Sequence, residues 1–147
     1  MSKPRIQQIS PRRRIRLDAS TFVVLCLLLV APAYALSQFA ASIDWRLLVG
    51  VPFALSIFTF FAYRSDKRKA EAGEWRIPEF TLHISALLGG WPGAFLGQRA
   101  FRHKTAKISF QLVFWIVLLT HEFIAVDSLL GWRLTKEVVR LVKNLMG

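Results

Sequence analysis

The sequence predicts an all-α membrane protein with four membrane-embedded helices and an amphipathic C-terminal helix. Apolar residues make up 54% of its 147 residues and charged residues only 20%, and its mean hydropathy is +0.39. Four long stretches, which are residues 22–41, 47–63, 80–98 and 108–126, contain only one of the charged residues, Glu122. A helix needs about 20 apolar residues to cross a hydrocarbon core of roughly 30 Å, so each stretch is long enough to be embedded in a bilayer.

The flanking segments are polar and divide the chain into three parts. We expect a basic N-terminal arm at residues 1–20, a helical membrane domain at 21–126 and an amphipathic helix at 127–147. The last segment has apolar side chains on one helical face and cations on the other, which is typical of a helix lying in the membrane interface. The short link at 42–46 predicts that the first two membrane helices form an antiparallel hairpin.

The third stretch is rich in glycine and contains a proline. Gly89, Gly93 and Gly97 recur every four residues and would share one helical face, with Gly90 beside them, which allows close packing with another helix. Pro92 frees a backbone carbonyl in the preceding turn. The stretch is therefore predicted either as a kinked packing helix or as a broken, re-entrant element that lines a site.

The positive charges place the N-terminus in the cytoplasm but leave the path of the third stretch open. If this stretch crosses fully, 15 of the 20 Lys and Arg residues lie on the N-terminal side. If it dips in and returns, the basic link 99–107 and the C-terminal tail exchange sides, and the total is again 15. The net charge of +11 is explained by this clustering at membrane edges and by contact with anionic lipids, which disfavours nucleic acid as a partner.

Residues 63–110 resemble the family of small bacterial membrane proteins known as domain of unknown function 1294. The resemblance rests on Tyr63, on Asp66-Lys67, on Arg76-Ile77-Pro78-Glu79, on Gly89-Gly90 with Gly93, and on Phe101-Arg102-His103-Lys104-Thr105 with Lys107 and Phe110. It implies a protein of the bacterial inner membrane without an established activity. Some members carry a cold-shock domain ahead of the membrane part, where this chain has only its basic arm.

The charged residues around the third stretch are the candidate site. Its cations could hold the phosphate of a lipid headgroup or another anionic ligand, and Asp66 could pair with one of them. The candidates are Asp66, Lys67, Arg99, Arg102, His103, Lys104 and Lys107, and the candidate packing residues are Gly89, Gly90, Pro92, Gly93 and Gly97.

The sequence predicts no metal site and no cofactor. Its one cysteine, Cys26, excludes an intrachain disulfide and a multi-cysteine metal site. No nucleophile elbow or phosphate-binding glycine loop is present. A metal site would require His83, His103 or His121 to converge, and the pair His121-Glu122 is expected to be exposed near the end of the fourth stretch.

Two functions from different classes remain. The first is a membrane module, not an enzyme, that binds anionic lipid or a helical partner; its small-residue face also permits homodimers. The second is a small transporter or membrane enzyme with a polar site formed by Asp66 and the link Arg102-His103-Lys104.

Overall fold

The computed structural model describes residues 17–102 and 105–146, and within them the chain consists of helices and turns without strands. The helices are α1 (Ala19–Phe39), α2 (Trp45–Ala72), α3 (Glu79–Ser85), α4 (Trp91–Phe101), α5 (Ile108–Leu129) and α6 (Arg133–Met146). The predicted N-terminal arm lies outside the described residues except at its last positions. The all-helical fold class is confirmed.

Three of these helices are long and apolar enough to cross a membrane, namely α1, α2 and α5. Few of their side chains are buried in the protein, and large apolar residues such as Leu27, Phe53 and Ile116 are exposed along them. In water this much exposed apolar surface would be strongly unfavourable. The three helices are therefore suited to an apolar surrounding.

The packing of α1 differs from the sequence prediction. The link to α2 is short, yet α1 packs mainly against α5 and also contacts α4, and it does not lie along α2. The predicted antiparallel hairpin of the first two helices is therefore wrong. The helix that lies beside α2 is α4, whose glycines pack closely against it.

The third apolar stretch is broken in two. A π-helical turn at Ala86–Gly90 follows α3, and within it Gly89 has φ of 112°, a backbone conformation that side chains strongly disfavour. Pro92 lies in the first turn of α4, where its missing N–H costs no helical hydrogen bond. Of the two predicted forms, the structure therefore has the broken element, with its break at Gly89, and not the continuous kinked helix.

The direction of α4 follows from its contacts with α2. Along this segment the neighbouring α2 residues advance from Pro52, beside Gly89, to Tyr63, beside Gly97. Because residue numbers rise together, α4 runs parallel to α2. Since α3 starts from the loop that follows α2, the segment α3–α4 is a helical hairpin whose two open ends lie at the C-terminal end of α2.

Two contacts measure how far this hairpin reaches into the bundle. Its tip at Gly89 lies beside Pro52, 14 residues before Asp66 on α2, which is about 21 Å along a helix. Trp91, also at the tip, has its ring 6.4 Å from that of His121, 13 residues into α5 and about 20 Å from its start. Both distances indicate that the hairpin reaches about 20 Å into the bundle.

The core lies between the hairpin and the helices α2 and α5. It is built mainly from aromatic side chains and small residues, and its fully buried members include Tyr63, Leu82, Ala94, Phe95, Phe110, Phe114 and Leu118. The hairpin is thus the centre of the packed part of the molecule, and the long helices surround it.

Candidate functional site

The candidate site lies where the two open ends of the hairpin meet α2 and α5, and we call this region the hairpin mouth. It contains Tyr63 and Asp66 on α2, Glu79 at the start of α3, Gln98 near the end of α4 and Lys107 before α5. An ion pair between Lys107 Nζ and Glu79 Oε2, 2.8 Å apart, joins the start of α5 to the start of α3. The basic link 99–107 therefore lies at the same end of the bundle as the loop after α2.

Asp66 is fully buried at this mouth. Its Oδ1 accepts a hydrogen bond of 3.0 Å from the backbone N–H of Ile77, which ties the loop before α3 to α2. The loop starts at Gly73, which adopts φ of 70° and ends α2. Asp66 is thus a buried charged group that fixes the entry of the hairpin, and its neighbour Lys67 pairs outside with Glu71 at 3.0 Å.

A chain of polar side chains, buried at Tyr63 and Gln98 and half-buried at Gln111, runs through the mouth. Gln98 Nε2 donates to the Tyr63 hydroxyl at 3.3 Å, and Gln111 Nε2 donates to Gln98 Oε1 at 2.6 Å. These bonds connect α2, α4 and α5. Gln98 and Tyr63 were not among the candidate site residues, although a glutamine inside an apolar stretch is a signal of such a bond.

The cations of the link occupy different environments. The Arg99 guanidinium is half-buried and lies 3.5 Å from the centre of the Phe95 ring, a cation–π contact. Burial lowers the pKa of Arg99, which remains charged because an arginine starts from so high a value. Arg102 is exposed and ends α4 with φ of 45°.

A helix face shared by Arg99 and Arg102 is not formed. It would require α4 to continue through the link, but α4 ends at Phe101 and the backbone of Arg102 is left-handed. His103 and Lys104 lie outside the described residues. The polar site of Asp66 with Arg102, His103 and Lys104 therefore stays a prediction.

The glycine-rich residues lie against α2 of the same chain. A Cβ atom on Gly93 would overlap the backbone of Ser56, one on Gly90 would overlap Thr59, and one on Gly97 would lie 2.9 Å from Tyr63 Cβ. The contact face thus runs through Gly90, Gly93 and Gly97, whereas Gly89 makes the break. The sequence pattern placed Gly89 on that face because it assumed an unbroken helix.

The histidines described here do not converge. His83 stacks on Phe110, with ring centres 4.2 Å apart. His121 lies 11 residues after Phe110 on α5, which is about 16 Å along the helix. Its Nδ1 is 2.8 Å from the Val117 carbonyl oxygen. His121 and Glu122 are half-buried rather than exposed. In the described ranges, no three His, Cys, Asp or Glu side chains are grouped so that they could hold a metal ion.

A second buried aspartate, which sequence reasoning did not select, lies at the opposite end of the bundle. Asp127 is fully buried near the end of α5, and its carboxylate accepts hydrogen bonds from the backbone N–H groups of Leu134 and Thr135, at 2.9 and 3.1 Å. The Thr135 hydroxyl also donates to it. Asp127 therefore caps the start of α6 from outside that helix.

Comparison with known proteins finds similarity in the segment that contains the hairpin mouth. Residues 56–110 match the family model described as "Protein of unknown function (DUF1294)". The chain is also 40% identical over 57 residues to the "Uncharacterized protein YsdA" of Bacillus subtilis (strain 168). That match covers 39% of this chain and 64% of the relative, so the chain spans less than two thirds of the relative's length. No solved structure matches the chain.

The matched segment coincides with a structural unit. It starts at Ser56, the residue that contacts Gly93, and ends at Phe110, which packs on Tyr63 and His83. It therefore contains the C-terminal half of α2, the complete hairpin and the basic link. Residues 56–110 are thus similar to the DUF1294 family, and the resemblance that the sequence predicts is confirmed.

Proposed function

We propose that this chain is a multi-pass protein of the bacterial inner membrane whose hairpin mouth binds the headgroup of an anionic phospholipid. In this proposal α1, α2 and α5 cross the membrane, and the α3–α4 hairpin enters from the cytoplasmic side and returns to it. The observation that carries it is the parallel packing of α4 on α2, which brings the basic link back to the end of α2.

The distribution of charge supports this orientation. With the link returned to the side of the N-terminus, 15 of the 20 Lys and Arg residues share one side and five lie on the other. Loops rich in Lys and Arg face the cytoplasm in bacterial membrane proteins. The N-terminus and the mouth are then cytoplasmic, and α6, with no buried residue, lies in the opposite interface with its apolar face toward lipid.

The position of the link cations supports the choice of ligand. Arg102 is exposed, Arg99 is held against Phe95, and Lys107 is held by Glu79 at the open end of the hairpin. At the edge of the hydrocarbon core such groups meet lipid phosphates, and each Lys or Arg near an anionic surface is worth about 1 kcal/mol. A cluster at this depth therefore favours an anionic headgroup.

The packing of the glycines bears on the other partner that the sequence allows. Helix α2 occupies the space beside Gly90, Gly93 and Gly97, so a second helix could not use this face without displacing α2. A helical partner would need another surface. The lipid is therefore the partner that the geometry supports better.

The test is retention of anionic lipid by native mass spectrometry of the purified protein in detergent. Replacing Arg102 and Lys104 together by Gln is expected to weaken the binding of phosphatidylglycerol about thirtyfold, since each of the two charges contributes about 1 kcal/mol. The matched control replaces Arg133 and Lys143 of α6 by Gln, which changes the net charge equally at the other end of the molecule. Equal losses in both variants, or no loss in the first, would count against the proposal.

A small transporter or membrane enzyme is the second candidate, and one observation favours it. Asp66 is fully buried at the mouth, and a buried carboxylate in a membrane protein is frequently functional. This candidate predicts that Asp66 lies within hydrogen-bond distance of the link Arg102-His103-Lys104.

A further inference from the structure

A cleft of about 510 Å³ opens between α3 and α5, beside the hairpin mouth. One wall is formed by α3 and the π-helical turn after it, with Glu79, Phe80, His83, Ile84 and Leu87. The other wall is formed by α5, with Ser109, Phe110, Val113 and Val117. The volume lies within the range of about 300–1,000 Å³ that is usual for sites of small ligands. The headgroup proposal leaves this cleft without a role.

The lining changes from polar to apolar with depth. The polar members Glu79, His83 and Ser109 lie within about one turn of the starts of α3 and α5, where Lys107 also lies. The deeper members are aliphatic, and Ser109 to Val117 spans about 12 Å along α5. One leaflet of a hydrocarbon core is roughly 15 Å thick, so this gradient follows the polarity of a single leaflet.

The cleft is open toward the outside of the bundle. Phe80, Leu87 and Val113 expose 73%, 46% and 41% of their surface, whereas Phe110 at its floor exposes 1%. The open side lies among the exposed apolar residues of α5, the surface that faces acyl chains if α5 crosses the membrane. A ligand could therefore enter laterally from the bilayer.

We propose that this cleft binds one acyl chain of a phospholipid whose phosphate lies at the hairpin mouth beside Lys107. The inference rests on the proposed function and adds the site of the lipid's tail. An acyl chain fits better than a helix of a second copy, because a helix with side chains is about 10–12 Å wide and would not match a polar end next to an apolar floor. Lys107 is paired with Glu79, so the exposed Arg102 at the same mouth is the cation that complements the phosphate.

The experiment is photo-crosslinking in vesicles that contain phospholipid with a diazirine on its acyl chain. In the unaltered protein, adducts are expected on Ile84, Leu87 and Val113, and excess unlabelled phospholipid is expected to suppress them. Val113→Trp fills the cleft and is expected to reduce these adducts about fivefold or more. The matched control is Ile116→Trp on the same helix, where the side chain is 62% exposed outside the cleft lining and the adducts should persist.

Three results would overturn the inference. The first is an even spread of adducts over α1, α2 and α5 that unlabelled lipid does not suppress. This result is observed in the unaltered protein and needs no variant. The second is equal adducts in Val113→Trp and in the unaltered protein. The third is cross-links between two chains at the cleft without lipid adducts, which would indicate a second copy as the occupant.

The headgroup and the tail can fail separately. The same experiment is run with phosphatidylglycerol and phosphatidylcholine probes that carry identical chains. Cleft adducts that form equally with both probes would contradict the proposed headgroup selectivity and support the acyl-chain site. A preference for phosphatidylglycerol that depends on Arg102 and Lys104, without cleft adducts, would overturn this inference and leave the proposed function in place.

Discussion

Replacing Gly93 by alanine is expected to separate the α3–α4 hairpin from α2 and to lower the free energy of unfolding by about 3 kcal/mol or more. The added Cβ would overlap the carbonyl oxygen of Ser56. Backbone cannot move aside as a flexible side chain can, so α4 must shift as a whole. Thermal unfolding in detergent, followed by tryptophan fluorescence, measures the loss, because Trp91 is buried at the hairpin tip.

Gly50→Ala is the matched control for this prediction. Gly50 lies inside α2 and has no atom within 4 Å of the position that a Cβ would take. Alanine is the better helix former, so stability should stay unchanged or rise by up to about 1 kcal/mol. Equal effects of the two substitutions would mean that the close approach of α4 to Ser56 is absent.

Replacing Asp127 by alanine is expected to release α6 from the end of α5. The substitution removes a carboxylate that accepts two backbone N–H groups of the first turn of α6 and the Thr135 hydroxyl. Loss of a helix cap costs about 0.5–2 kcal/mol, and the hydroxyl bond adds about 1 kcal/mol. Hydrogen exchange of the amides at 133–146 should therefore become at least tenfold faster.

Glu137→Ala is the control, because it removes one negative charge from α6 itself. Glu137 is exposed and pairs with Arg140 at 3.2 Å, a surface pair worth little. Exchange of the tail amides should change by less than about threefold in this variant. The capping role of Asp127 would be refuted by tail exchange that stays as slow in Asp127→Ala as in the unaltered protein.

The sequence is most informative about the long apolar helices. Helix α1 begins three residues before the stretch predicted to start at 22, and α5 ends three residues after the stretch predicted to end at 126. An apolar run of about 20 residues has few alternatives to a helix in an apolar environment, because its backbone polar groups must bond within the segment. Helix α2 also continues past its apolar part to Ala72, and the left-handed Gly73 ends it. These features depend on local sequence alone.

The path of the third stretch could not be derived in this way. The link 99–107 and the tail carry four Lys and Arg residues each, so exchanging their sides leaves the charge balance unaltered. The path is decided by the order in which the glycines contact residues of α2, and these are tertiary contacts. The same holds for the position of α1, because a short link restricts where the next helix starts but does not specify which helix it packs against.

The candidate site was predicted in part for the same reason. Glu79 and Lys107 meet although they are 28 residues apart, and the bond between Gln98 and Tyr63 joins residues separated by 35 positions. Neither pair forms a local motif. The basic link and Asp66 could be selected because charge next to apolar stretches is visible in composition, whereas the role of Asp127 depends on the turn that folds α6 back onto its carboxylate.

The central claim is that the third stretch enters and leaves the membrane on one side, and cysteine labelling tests it most directly. In a Cys26→Ser background, single variants Ser42→Cys, Glu74→Cys and Thr105→Cys are treated with a membrane-impermeant maleimide in intact cells and in inverted vesicles. All three positions are exposed. If the hairpin returns to its side of entry, position 105 is labelled from the same side as position 74 and from the side opposite to position 42. Labelling of position 105 from the side of position 42 would contradict it.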